Sequence, residues 1–106
     1  MKKFNQENFE DEVMKSEMPV IVDFYADWCV PCKMMAPVIT QIEKEYRGKI
    51  EFGKLNIDES PMVALDYRVL SIPTLLFVKD GKVVGRVEAA VTKNVVEDKI
   101  KKYFGM

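Results

Sequence analysis

The 106 residues include no histidine, and that gap removes a large part of ordinary enzyme chemistry. Without imidazole there is no Ser–His or Cys–His dyad to activate a nucleophile, and the commonest metal ligand is missing. Cysteine is almost as scarce. Cys29 and Cys32 are the two present, too few for a four-cysteine zinc site within one chain. Basic residues are not in surplus, 16 against 17 acidic, so the phosphate-tracking surface of a nucleic-acid binder is not expected. No apolar run approaches the roughly 20 residues that cross a bilayer, so no membrane partner is expected either. The opening Met1-Lys-Lys-Phe-Asn-Gln-Glu7 turns polar at once and carries no apolar signal region, which leads to the expectation of a cytoplasmic protein.

What remains is ordinary globular material: 48% hydrophobic, 31% charged, five glycines and five prolines. The length suits a single domain over residues 1–106, large enough to bury a core without metal or disulfide staples. No repeat, low-complexity stretch or linker divides it.

After a short start at Lys2 to Phe4, Asn8 is positioned to cap a first helix that turns Phe9, Val13 and Met14 inward. Val20 to Ala26 is β-branched and aromatic, apolar on both faces apart from Asp23, the pattern of a strand in the middle of a covered sheet. From Pro31 to about Tyr46 the period becomes helical, with Met35, Val38, Ile39, Ile42 and Tyr46 on one stripe. Pro31 suits the first helical position, Pro37 is expected to kink the helix, and Gly48 to cap its end. Ile50 to Ile57 reads as a second core strand and Pro61 to about Tyr67 as a short helix. Asp80-Gly81 between Thr74–Lys79 and Lys82–Val87 is a two-residue hairpin signal. Thr92 is placed to cap a last helix carrying Val96, Ile100 and Phe104. The order β-α-β-α-β-α-β-β-α implies an α/β fold: a mixed central sheet with helices on both faces.

The cysteines fall where a buried strand hands over to a helix, three residues apart. The first helical turn leaves N–H groups unpaired and carries partial positive charge, so a Cys29 thiolate is favoured there and its pKa should fall. The spacing lets the two sulfurs bond. As a mere staple, so short a loop is worth roughly 2 kcal/mol against about 3 for a fifteen-residue loop, and a reducing compartment would open it. Metal ligation across a dimer is the other bland reading. Redox use accounts for the placement better than either.

Asp23 is the second signal. A carboxylate between Val22 and Phe24 in a central strand is costly to bury ionised, so its pKa should rise. It lies six residues before Cys29, on the strand that delivers it, and is a candidate proton donor and acceptor for the thiols. An edge position or a paired ion is the alternative. Lys54 is a candidate neighbour, although a strand lysine more often faces solvent.

The segment Val22-Asp-Phe-Tyr-Ala-Asp-Trp-Cys-Val-Pro-Cys-Lys-Met-Met-Ala-Pro37 resembles the thioredoxin family, as do Lys54-Leu-Asn-Ile-Asp58, Ile72-Pro-Thr-Leu75 and the Lys79-Asp-Gly81 turn. The resemblance runs from about Phe4 to Phe104. It implies a five-stranded mixed sheet flanked by four helices. It implies Cys29 as the attacking thiolate, Cys32 as the resolving thiol, and Asp23 as the buried acid assisting Cys32. Pro73 matches the proline that follows a cis bond and packs against the disulfide. Trp28, Val30, Pro31, Ile72, Pro73 and Ala89 match the surface that receives an extended peptide. The chain departs from the family pattern at Val30, Ser71 and Ala89, each standing where glycine is usual.

The function so implied is protein-disulfide reduction, cycling Cys29 and Cys32 between dithiol and disulfide. Its expected partners are disulfide-containing proteins and a separate reductase that restores the dithiol; no cofactor or metal is expected, and the chain is expected to act as a monomer. Two rivals stand beside it: a binding module in which redox is incidental, and an oxidase or isomerase with a shifted potential, which Val30 between the cysteines keeps open.

Overall fold

The order of the sheet follows from its most apolar strand. The computed structural model describes all 106 residues. In it β2 (Val20–Tyr25) is buried from Val20 through Phe24 and is paired on both sides. β3 (Glu51–Asn56) lies parallel on one side and β4 (Thr74–Lys79) antiparallel on the other. β1 (Lys2–Phe4) adds parallel to β3, and β5 (Lys82–Val87) adds antiparallel to β4, giving the mixed order β1-β3-β2-β4-β5.

Strand alternation sends successive β2 side chains to opposite faces. Ile21 joins a core with Phe52, Leu75 and Phe77 beneath α1 (Val30–Glu45) and α3 (Lys93–Phe104), which contribute Met35, Ile39, Ile42, Val96, Ile100 and Phe104. Val20, Val22 and Phe24 join the opposite core with Phe4, Leu55 and Leu76, covered by a short π-helix, Glu10–Met14, and by α2 (Pro61–Asp66). The period of two therefore places Asp23 with Ile21, on the α1 side.

The hairpin falls where Asp80-Gly81 predicted it. Both residues have positive φ, 52° and 72°, as a type I′ turn requires. The register shifts by one residue beyond Phe77, so Val84 has no partner on β4.

Several local expectations are corrected. Asn8 does not cap the first helix. Phe9 holds its N-cap position without a side-chain cap bond, and Asn5 and Asn8 instead close the turn before it: the Asn5 side-chain oxygen accepts from the amides of Glu7 and Asn8, while the Asn8 oxygen accepts from the Asn5 amide. Met14 is only partly buried there, unlike Phe9 and Val13. Val30 takes the first position of α1 and Pro31 the second, because Cys29 is the N-cap. Pro37 lies exposed within α1, which runs from Val30 to Glu45. Tyr46 is the C-cap, and Gly48 (φ 84°) turns the chain two residues later. Thr92 holds the N-cap position of α3, but its hydroxyl makes no capping bond. No helix is long and apolar enough to cross a membrane.

Candidate active site

β2 ends at Tyr25, three connecting residues follow, and Cys29 caps α1. Capping is normally the work of an oxygen; here it is a sulfur, since Cys29 Sγ accepts from the Cys32 amide at 3.2 Å. Pro31 has no N–H to offer, so the Cys32 amide is the first-turn donor within reach. The two cysteines form a disulfide, with their Cα atoms 5.3 Å apart, inside the usual span of such bonds. Both are buried and share a small apolar cluster with Ala26, against which Tyr25, Ile57 and Ile72 pack. In the reduced protein the same amide and the positive end of α1 favour the Cys29 anion.

Behind Cys32 is a cavity of about 500 Å³ lined by Asp23, Tyr25, Ala26, Asp27, Lys33 and Lys54 among others. Asp23 is 6% exposed, and its Oδ1 is buried without a hydrogen-bond partner. Burial raises its pKa from 3.8 to about 7, against a smaller opposing pull from the Lys54 charge. Lys54 lies opposite Asp23 in the β2–β3 register, and its Nζ sits 5.5 Å from the centre of the Tyr25 ring. Asp23 is thus neither on an edge nor neutralised in a tight pair, and Lys54 faces the same cavity.

On the other flank of the disulfide a smaller cleft, about 300 Å³, is lined by Trp28, Ile57, Val69, Leu70, Ser71 and Ile72. Trp28 is 67% exposed and is held by its Nε1–H, which donates to Asp58 Oδ2 at 2.8 Å. Val30 and Pro31 are exposed at the start of α1. The Ile72–Pro73 peptide is cis, Pro73 is buried, and the Thr74 hydroxyl donates to Ser71 O at 2.6 Å just beyond. Ala89 is exposed on the loop after β5 and lines neither cavity.

The structure thus gathers Cys29, Cys32 and Asp23 at one strand–helix junction, and Trp28 with Ile72 at one cleft. Sequence reasoning missed Asp58 as the holder of Trp28, although it lies inside the quoted Lys54–Asp58 match. It also missed the Met35 thioether, which accepts the Val91 amide at 3.2 Å and ties the Ala89 loop to α1. No cluster of three or more His, Cys, Asp or Glu residues able to hold a metal ion is formed.

Comparison with known proteins points the same way. The thioredoxin family model matches residues 1–102. "Thioredoxin" of Chlorobaculum thiosulfatiphilum is 46% identical over 98 residues, covering 92% of this chain and 91% of its own length. "Thioredoxin" of Synechocystis sp. is 46% identical over 96 residues, 91% of this chain and 90% of its own. "Thioredoxin M-type, chloroplastic" of Spinacia oleracea is 48% identical over 99 residues, 93% of this chain; the chain spans 55% of that longer relative.

Proposed function

The chain belongs to the thioredoxin family and is a thiol–disulfide oxidoreductase; from that premise we propose how its residues divide the work of reducing a protein disulfide. The Cys29 thiolate attacks one sulfur of the substrate disulfide, forming a mixed disulfide and releasing the first substrate thiolate. Cys32 passes its proton to Asp23, and its thiolate then attacks Cys29 Sγ. That breaks the mixed disulfide, releases the second thiolate and leaves Cys29–Cys32 oxidised. A separate reductase returns two electrons and restores the dithiol.

The observation that carries this division is that Asp23 and Cys32 line one cavity while Cys29 sits outside it at the helix N-cap. An acid with a pKa near 7 takes and returns a proton at neutral pH with little loss either way. The substrate chain is received by Trp28, Val30, Pro31, Ile72 and Pro73, with Ala89 on the exposed loop after β5 as a contact outside the cleft, lying extended with Ile72 backbone groups pairing to it.

Residue roles are separated by single-turnover reduction of a protein disulfide. Cys29→Ser abolishes reduction, whereas Cys32→Ser reacts once and accumulates a mixed disulfide that denaturing gels retain. A fully active Cys29→Ser protein would end this reading. Equilibrating the pair against a glutathione series distinguishes a reductase from an oxidase, because the oxidised pair of an oxidase is the one more readily reduced.

The proposed compartment is the cytoplasm and the proposed state a monomer. The spinach and pea relatives are named chloroplastic, so fractionation of the source cells decides the first. Sedimentation of the purified chain decides the second.

A further inference from the structure

Between α2 and β4 the chain turns back toward the disulfide through a residue poorly suited to the turn. Arg68 has φ 55°, a left-handed conformation that strains any residue with a Cβ. The carbonyls of Tyr67 and Arg68 lie past the end of α2, where helical N–H partners run out. Both accept instead from one side chain. Arg86 donates through Nη2 to Tyr67 O at 2.8 Å and through Nη1 to Arg68 O at 3.3 Å. Arg86 stands opposite Leu76 in the β4–β5 register, and Leu76 belongs to the core on the α2 side, so the pairing aims the guanidinium at this turn. The segment that follows carries Val69, Leu70, Ser71 and Ile72, the wall of the cleft opposite Trp28.

We infer that Arg86 is a positioning residue: its forked guanidinium holds the left-handed turn at Arg68 and thereby fixes the Val69–Ile72 wall against which a protein substrate docks. The chemistry requires arginine, because two donors in a rigid plane match two successive carbonyls, whereas an ammonium is a single point that satisfies one of them well. The other hydrogen bonds of this segment are local, Val69 N–H to Ala64 O at 2.8 Å and the Thr74 hydroxyl to Ser71 O, while Val69 and Ile72 pack on the α2-side core and Ile72 also on the cysteine cluster. Among the hydrogen bonds of this turn, those from Arg86 are the ones that reach the edge strand. The inference rests on the proposed reading of the cleft as the substrate-receiving wall.

The test compares a protein disulfide with a small aromatic disulfide that needs no docking wall. Arg86→Gln is expected to raise KM for the protein disulfide about fivefold with kcat within about twofold, and to leave the small disulfide unaffected. Arg86→Lys should fall between. Adding Arg68→Gly, which adopts the left-handed turn without strain, should return KM toward that of the parent. An unchanged KM, equal losses on both disulfides, or no recovery in the double variant would overturn the inference. Amide exchange of Val69, whose N–H is bonded to Ala64 O, reads the positioning without any catalysis: it should quicken in Arg86→Gln and slow again with Arg68→Gly, and unaltered exchange counts against the clamp. If the parent chain reduced neither disulfide while exchange behaved as expected, the redox reading would fail and the clamp would stand.

Discussion

Asp23 and Lys54 face each other across the β2–β3 pairing and line the same cavity, yet Asp23 Oδ1 has no hydrogen-bond partner. A lysine close enough to stabilise the anion, but not bonded to it, offsets part of the burial penalty and leaves the carboxyl poised near neutrality. A tight ion pair would hold the acid ionised, and no lysine at all would hold it protonated across a wider pH range. Either would suit it less to the proton transfer proposed for it.

The first prediction concerns stability against pH. Below pH 3.8 both folded and unfolded chains keep the Asp23 proton. Between 3.8 and about 7 the folded chain retains it and the unfolded chain does not, so stability falls as pH rises and levels off above about 7. The difference corresponds to on the order of 4 kcal/mol at 1.36 kcal/mol per pH unit. Asp23→Ala should therefore gain stability relative to the parent from pH 4 to 7 and keep the gain at pH 9. Denaturant midpoints that track the parent across that range would show the carboxyl is not buried in solution.

Rate against pH supplies the second. If ionised Asp23 accepts the Cys32 proton, release of the mixed disulfide slows about tenfold per pH unit below 7. Asp23→Asn should lose that inflection and resolve slowly throughout. Rapid-quench measurement of the mixed disulfide distinguishes this from a slow first attack, which belongs to Cys29.

Trp28 and Asp58 form the third. Their bond is charge-assisted but exposed, so a double-mutant cycle of Trp28→Phe and Asp58→Ala should give a coupling of about 0.5–1.5 kcal/mol in unfolding free energy. A coupling of zero would mean the indole is placed by packing alone.

The fourth tests the sheet beneath the site. A Cβ on Gly53 would run into the ring of Phe4, on the neighbouring strand β1. Gly53→Ala is expected to cost about 1–3 kcal/mol by overpacking. Phe4→Leu in the same chain should recover part of that loss, and chemical denaturation of the three variants measures it. Full additivity would show that the two positions do not touch.

Legibility in the sequence depended on how local each cause was. Asp80-Gly81 announced the hairpin because positive φ at two adjacent positions is a property of those residues themselves. Asp23 stood out because its strand neighbours are apolar, and Cys29 because a strand pattern stops just before it. Asn8 reads as a cap by residue type, but its oxygen is taken by the Asn5 amide in a reciprocal pair of bonds that residue type does not reveal. Arg86 was invisible: its role needs the β4–β5 register and a turn eighteen residues earlier, neither written in its surroundings. Ala89 came from alignment alone, and the structure leaves it outside the cleft that Trp28 and Ile72 share.

Placing β2 at the centre of five strands has a last consequence. The reactive pair hangs from a strand braced on both sides, whereas the Val69–Ile72 wall hangs from a connector tied down at a few points. On the proposed reading, substitutions at Val69 to Ser71 would retune which proteins are accepted while sulfur exchange goes on as before; substitutions at Ile72, which packs on the cysteines, or in β2 would touch both at once. With the wall read in that way, partner choice and redox chemistry become separately adjustable, although they meet within one small patch of surface.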